Sequence, residues 1–232
     1  MDMLLAAAAA FLAIHFLVSG TRLRDAIVGA IGEGPYMGLF SLASLLAIFW
    51  LVVSYNRAQA SGNDPLLYDL GVGAKHLAMP VIFLAFLIGV PGLLTPNPTS
   101  VRQEGVAARP DAVKGIVAVT RHPFLWGVTI WAAMHLAMNG DAASVILFAT
   151  FLILALLGPL SIDAKRKRKM GPDWEGFAAR TSNVPFAAVL SGRAKLKWGE
   201  LLDWRMAAAV LLFVAVLFGH ASVIGVSPFP GG

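Results

Sequence analysis

Cysteine is missing from all 232 residues, and charge is scarce: 13% of the chain is Asp, Glu, Lys or Arg. The missing thiol excludes disulfides, thiolate metal sites, iron–sulfur clusters and covalent haem attachment through C-x-x-C-H. A soluble domain of this length carries about 25% charged residues. The shortfall, with 58% hydrophobic residues and a mean hydropathy of +0.74, excludes an ordinary soluble domain and points to an integral membrane protein. No positive n-region precedes the first apolar run, "MDMLLAAAAAFLAIHFLVSG". Asp2 stands there instead, and Arg22 and Arg24 follow the run, so a retained first span is expected rather than a signal peptide. Nothing resembles an organelle transit peptide, which makes a bacterial inner membrane the expected location.

What is present is a series of apolar runs at roughly 3–20, 36–55, 76–94, 123–139, 143–160 and 206–224. The expected fold is all-α: a polytopic helical bundle of about six transmembrane helices forming one domain over 1–232. Lys and Arg distribute unevenly around these runs. Sixteen of eighteen fall in the first, third and fifth loops; only Arg57 and Lys75 fall on the other side. The positive-inside rule then makes the odd loops cytoplasmic and both termini periplasmic. Two cytoplasmic segments, about 96–121 and 163–205, exceed simple linkers. The first is expected to end in a surface helix leading into the fourth span. In the second, Trp174, Phe177, Phe186 and Trp198 among basic residues suggest interfacial contact with lipid. The run "KRKRK" at 165–169 fits membrane orientation, and no nucleic-acid partner is expected.

All five histidines (15, 76, 122, 135 and 220) lie in or beside these runs. Ionisable groups within a bilayer are costly and mark function by default; the plainer alternative is a neutral imidazole bonded to a neighbouring helix. In "TRHPFLWGVTIWAAMH", Pro123 suits a first helical turn and puts His122 at the helix start. His135 lies thirteen residues on, roughly 20 Å deeper and rotated by about 220°, so one iron cannot take both. Without thiolates or a carboxylate cluster, intramembrane imidazoles suit a b-type haem, whose ring is apolar and whose iron takes neutral imidazole. Arg121, Arg22 or Arg24 would meet its propionates, and Trp131 would wall the pocket beside His135. His15, His76 and His220 each remain possible partners for His135.

"AIHFLVSG", "LFSLASLLAIFWLVVSYN", "TRHPFLWGVTIWAAMH" and "MGPDWEGFAARTSNVPFAAVLSGR" resemble, in this order, the NnrU family, which includes 15-cis-ζ-carotene isomerases. The resemblance implies a polytopic membrane protein and, for the isomerase branch, a b-type haem held by two histidines at the positions of His15 and His135. His122, His76 and His220 look shared with that branch without an assigned role. The chain departs from it at Ala132, where the isomerases carry a cysteine, and at Asn56 and Leu154, where they carry histidines. Bacterial NnrU proteins are associated with nitrite and nitric oxide metabolism. The first expectation is therefore a membrane haem protein of denitrification, with nitric oxide or a hydrophobic small molecule as ligand and an electron donor as partner. The alternative is a haem-dependent cis–trans isomerase of a carotenoid-like polyene. A more distant resemblance, through "RHPFLWG" and "KMGPDWEGFAARTSNVP", links the chain to the isoprenylcysteine and phospholipid methyltransferase superfamily. It implies an S-adenosylmethionine site around Arg121, His122, Asp163 and Trp174, with Ile162-Asp163 replacing a pair of glutamates.

Overall fold

The structure is a computed structural model that describes residues 1–229, and every described regular element is helical. Helix α1 (Asp2–Ala13) runs on through a π turn at Ile14–Val18. The chain then bends by 75° into α2 (Arg22–Ile31). Gly20 lies at the bend, where a Cβ would run into the Phe16 carbonyl and stand 2.8 Å from the Ser161 hydroxyl. Thr21 caps α2 by accepting from the Leu23 N–H. Three long helices form most of the bundle: α3 (Glu33–Ala60), α4 (Gly71–Leu94) and, later, α7 (Ala142–Met170). Between α4 and α7 lie the short α5 (Ile116–Val119) and α6 (Pro123–Met138). The basic side is completed by α8 (Pro172–Ala179) and the single-turn α9 (Ala187–Leu190), and α10 (Trp204–Ile224) closes the chain.

Four helices, α3, α4, α7 and α10, are long and apolar enough to cross a membrane; the bent α1–α2 pair makes a fifth if counted as one span. Helix α6 has 16 residues, about 24 Å, against a hydrocarbon core of about 30 Å. All six apolar runs are thus helical, while four or five meet the length criterion for crossing alone. Their connections separate into two groups. The α3–α4 and α6–α7 loops meet: Leu67 N–H donates to the Gly140 carbonyl, and Ala142 N–H to that of Pro65. At the opposite end, Lys169 bonds both Glu33 and Glu104, and Arg205 bonds the Leu94 carbonyl.

Small residues bring α4 and α6 together. A Cβ on Gly127 would stand 2.5 Å from the Gly89 Cα, and one on Gly92 2.5 Å from the Phe124 nitrogen. Backbones approach this closely only where side chains are absent, which is how helices pack without a hydrophobic drive in lipid. One core holds Leu4, Ala7, Leu51, Ala143, Leu147 and Phe148 from α1, α3 and α7.

Two sequence expectations on the basic side are corrected. The end of 96–121 is not a surface helix: Ile116–Val119 is a single turn, buried throughout, capped by Trp174 and Phe177 of α8. Trp174 and Phe177 point inward to this second core, so only Phe186 and Trp198 of the expected aromatic set are exposed. Four consecutive buried residues are possible because α5 is covered on all sides.

Candidate functional site

"TRHP" is held by an unusually complete set of polar contacts. Asn97 and Thr99 side chains both donate to the Arg121 carbonyl, at 2.9 and 3.0 Å. Arg121 N–H donates to Ser182, and Thr120 Oγ1 donates to the Asn183 carbonyl at 2.6 Å. Trp126 Nε1 donates to the same carbonyl at 2.8 Å. Pro123 opens α6 with no N–H to satisfy. This frame fixes His122, 2% exposed, as the residue capping α6.

Asp163 comes from α7. One of its oxygens accepts from His122 Nε2 at 2.7 Å, and Arg121 grips both through Nε at 3.0 and 3.2 Å and through Nη2. Such two-pronged contacts combine charge with fixed orientation. Trp174 lies 5.9 Å below the guanidinium, within cation–π range. Burial pushes the His122 pKa down; the Asp163 hydrogen bond and charge pull it up without reversing this, and Arg121 adds to the lowering. The imidazole is therefore neutral at neutral pH. A carboxylate only accepts, so the proton sits on Nε2 and Nδ1 carries the lone pair. The unit is an oriented, neutral imidazole beside a neutralised carboxylate, capable of accepting a proton or hydrogen bond at Nδ1. The structure thus brings together Arg121, His122, Asp163 and Trp174.

His15 sits within the π turn, a rare distortion that recurs at functional sites. Its Nδ1 contacts the Phe11 carbonyl at 2.8 Å, and its ring lies 4.5 Å from Phe11 and 5.5 Å from Phe40. His135 occupies the last turn of α6. Its Nδ1 contacts the Trp131 carbonyl at 2.9 Å, with Trp131 and Phe148 rings at 4.8 and 4.9 Å. A carbonyl only accepts, so Nδ1 carries the proton in both, leaving Nε2 as the ligating nitrogen. The same tie holds His76 to Val72 and His220 to Val226, so the tautomer does not select a pair. Surroundings set apart His76 alone by burial: it is exposed, whereas His15, His135 and His220 are half-buried, the first two beside aromatic rings. Phe151 packs edge-on against both Phe11 and Trp131, at 5.7 Å each, linking the two groups into one aromatic wall.

These donors fit a haem in kind: two neutral imidazoles with free Nε2 atoms beside flat apolar surfaces. Two buried hydroxyls on the α3 face flanking Phe40, those of Tyr36 and Ser44, find no partner among the described residues. Among the described residues no three His, Asp or Glu side chains converge as a metal site, a requirement a porphyrin iron does not impose on the chain. Asn139 bonds the His135 carbonyl rather than its ring. Arg22 is exposed on α2, away from the Arg121 cluster's contacts. Ala132, where the isomerase branch has a cysteine, is fully buried one turn before His135.

Sequence reasoning missed the frame around "TRHP". Asn97, Thr99, Ser182 and Asn183 carry no signal of their own. It also assigned "KRKRK" to membrane orientation as one run, yet Arg166 within it is 6% exposed and bonds Glu104 and the Ser100 carbonyl. Burial alone would raise the Glu104 pKa, but its own backbone N–H, Lys169 and Arg166 outweigh this and lower it to about 2.

The family model described as NnrU protein matches residues 3–228. The chain is 27% identical over 213 residues to the chloroplastic 15-cis-zeta-carotene isomerase of Arabidopsis thaliana, covering 88% of this chain and 56% of that protein. It is 25% identical over 204 residues to the chloroplastic enzyme of the same name from Zea mays, covering 85% and 54%. The chain thus spans about half the length of the curated relatives it matches. No solved structure matches it.

Proposed function

Because this chain belongs to the NnrU family, we propose that it is a membrane-embedded isomerase of a carotenoid-like polyene, working with a b-type haem held by His15 and His135. The observation that carries this reading is similarity to two carotene isomerases across most of the chain. Nitrogen-oxide chemistry, the first expectation from sequence, stands behind it, since both relatives are named as isomerases. The apolar helices support a multi-pass membrane protein and, with it, a hydrophobic substrate. A bacterial inner membrane gains nothing from relatives named as chloroplastic.

His15 and His135 would present Nε2 to iron, each held in orientation by its own i−4 carbonyl. Trp131, Phe148, Phe151 and Phe11 exclude water and offer flat surfaces to a macrocycle or a conjugated chain. The chemistry a haem supplies when bound is an iron centre able to change ligand or redox state. With Ala132, Asn56 and Leu154 in place, no step here draws on a thiolate or a histidine at those positions. A six-pass arrangement with both termini opposite the basic end accompanies this reading, supported by the meeting of even loops at one end and odd loops at the other.

The test is direct. Membranes containing the protein, prepared with haem supplied, are given 15-cis-zeta-carotene, and the isomers are separated chromatographically. We expect a Soret band and loss of the 15-cis isomer; His135→Ala and His15→Ala should lose both. A preparation with no Soret band and no conversion would overturn the reading.

A further inference from the structure

We propose that the cavity between α2 and the basic end of α7 is a binding site for the phosphate headgroup of an anionic membrane phospholipid. The cavity has a volume of ≈ 310 Å³. Four cations line it, Arg24, Lys165, Arg168 and Lys169, against two carboxylates, Asp25 and Glu33.

The carboxylates are already engaged. Glu33 lies 3.1 Å from Arg24 and 3.3 Å from Lys169, and Asp25 lies 3.4 Å from Arg24 and 4.0 Å from Arg168. Lys165 makes no ion pair among the described residues, though it is only half-exposed. The lining therefore carries a surplus of positive charge around a space, with one cation uncommitted. Membrane orientation requires basic residues on this side, but not that cations from two helices converge on one cavity.

Position favours a lipid over a free anion. Helix α7 has 29 residues, about 44 Å, so its last three turns extend past a hydrocarbon layer of about 30 Å. Those turns carry Lys165, Arg168 and Lys169 at headgroup depth. The 75° bend lays α2 beside them. One to two turns back along α7, Leu157 and Leu160 are 47% and 62% exposed, and Val28 contributes an apolar patch to the lining. A phosphodiester in the cavity can thus keep its acyl chains against α7. Basic groups at this depth attract anionic lipid by about 1 kcal/mol each. This inference does not rest on the isomerase reading.

Native mass spectrometry of the full chain, released from nanodiscs of equal parts phosphatidylglycerol and phosphatidylcholine, tests it. We expect retained phosphatidylglycerol adducts on the wild type and on Lys165→Arg, and a roughly tenfold or greater loss on Lys165→Gln/Arg168→Gln. Lys195→Gln/Lys197→Gln removes the same charge outside the cavity and should keep them. Inorganic phosphate in excess should not strip the adducts; stripping would show a free-anion site and overturn the lipid assignment. Equal loss in both double variants, or retention in the cavity variant, would also overturn it. So would a cavity variant that keeps its lipid but loses haem absorbance, since the cations would then serve propionates. Melting of each variant in detergent checks that its fold is intact.

Discussion

At residue scale, the strongest commitment is one carboxylate shared by two partners. Asp163 neutralises Arg121 and holds His122 in a single tautomer, so removing it strands a mostly buried guanidinium. Asp163→Asn should cost about 2–3 kcal/mol, the range for losing charged hydrogen bonds at a partly exposed pair, and a detergent melt reads it as a lowered Tm. His122 adds a pH signature. Its folded pKa lies below the ordinary value of 6.5, so the unfolded state takes the proton first as pH falls. The contribution is full above about pH 6.5 and is lost as pH drops through the folded pKa. Wild-type Tm should fall between pH 7.5 and 5 more than that of His122→Gln, whose amide keeps a donor toward Asp163. Glu104, held at about 2, leaves that window undisturbed: its contribution is lost only as pH falls below its ordinary value of 4.5 toward about 2.

At the scale of elements, close packing of α4 on α6 decides stability. Gly127→Ala places its Cβ against the Gly89 Cα and the Ala85 carbonyl. Backbone cannot rotate away, so the helices must separate, at about 1–3 kcal/mol. Gly38→Ala on α3 meets nothing within 4 Å and should be neutral or raise Tm slightly, by the usual gain of alanine over glycine in a helix. The start of α6 was legible because Pro123 follows a polar, basic stretch and proline is favoured at a first helical turn. The six apolar runs were legible because lipid demands continuous hydrophobicity. Helix ends were not: α3 continues to Ala60 and α7 to Met170, since hydrogen bonding persists where hydrophobicity stops. The π turn at His15 and the buried turn at Ile116–Val119 were also hidden. Both depend on what packs against them, Ser161 beside Gly20 in one case and Trp174 and Phe177 in the other. Of the candidate site, Arg121, His122, Asp163 and Trp174 could be picked out by motif, but their polar frame is assembled from residues up to 63 positions apart.

At the scale of the whole molecule, charge and contacts divide the chain into two ends. Arg24, Glu33, Glu104, Arg166 and Lys169 come from four separate segments yet form one ionic network at the basic end. Asp64, Gln59 and Asp141 bond across the other end, where Asp64 caps Ala143 N–H and Gln59 meets Asp141 at 2.6 Å. Met3 also lies at that end, against Arg57. If the membrane lies between the ends, an impermeant reagent must distinguish them, and a chain with no cysteine is ready for the experiment. Asp2→Cys, Asn63→Cys and Ser191→Cys each introduce a single thiol at an exposed position. In intact cells, a membrane-impermeant maleimide should label Asp2→Cys and Asn63→Cys alike, and Ser191→Cys only after permeabilisation. If α1 failed to cross, Asp2→Cys would label with Ser191→Cys instead. If α6 failed to cross, α7 would have to start on the basic side, against the bonds that tie Asp141 and Ala143 to the α3–α4 loop. The pairing of labels therefore reads whether the crossings between these positions are odd or even, and with the inter-loop bonds whether His15 and His135 belong to helices that both span the lipid.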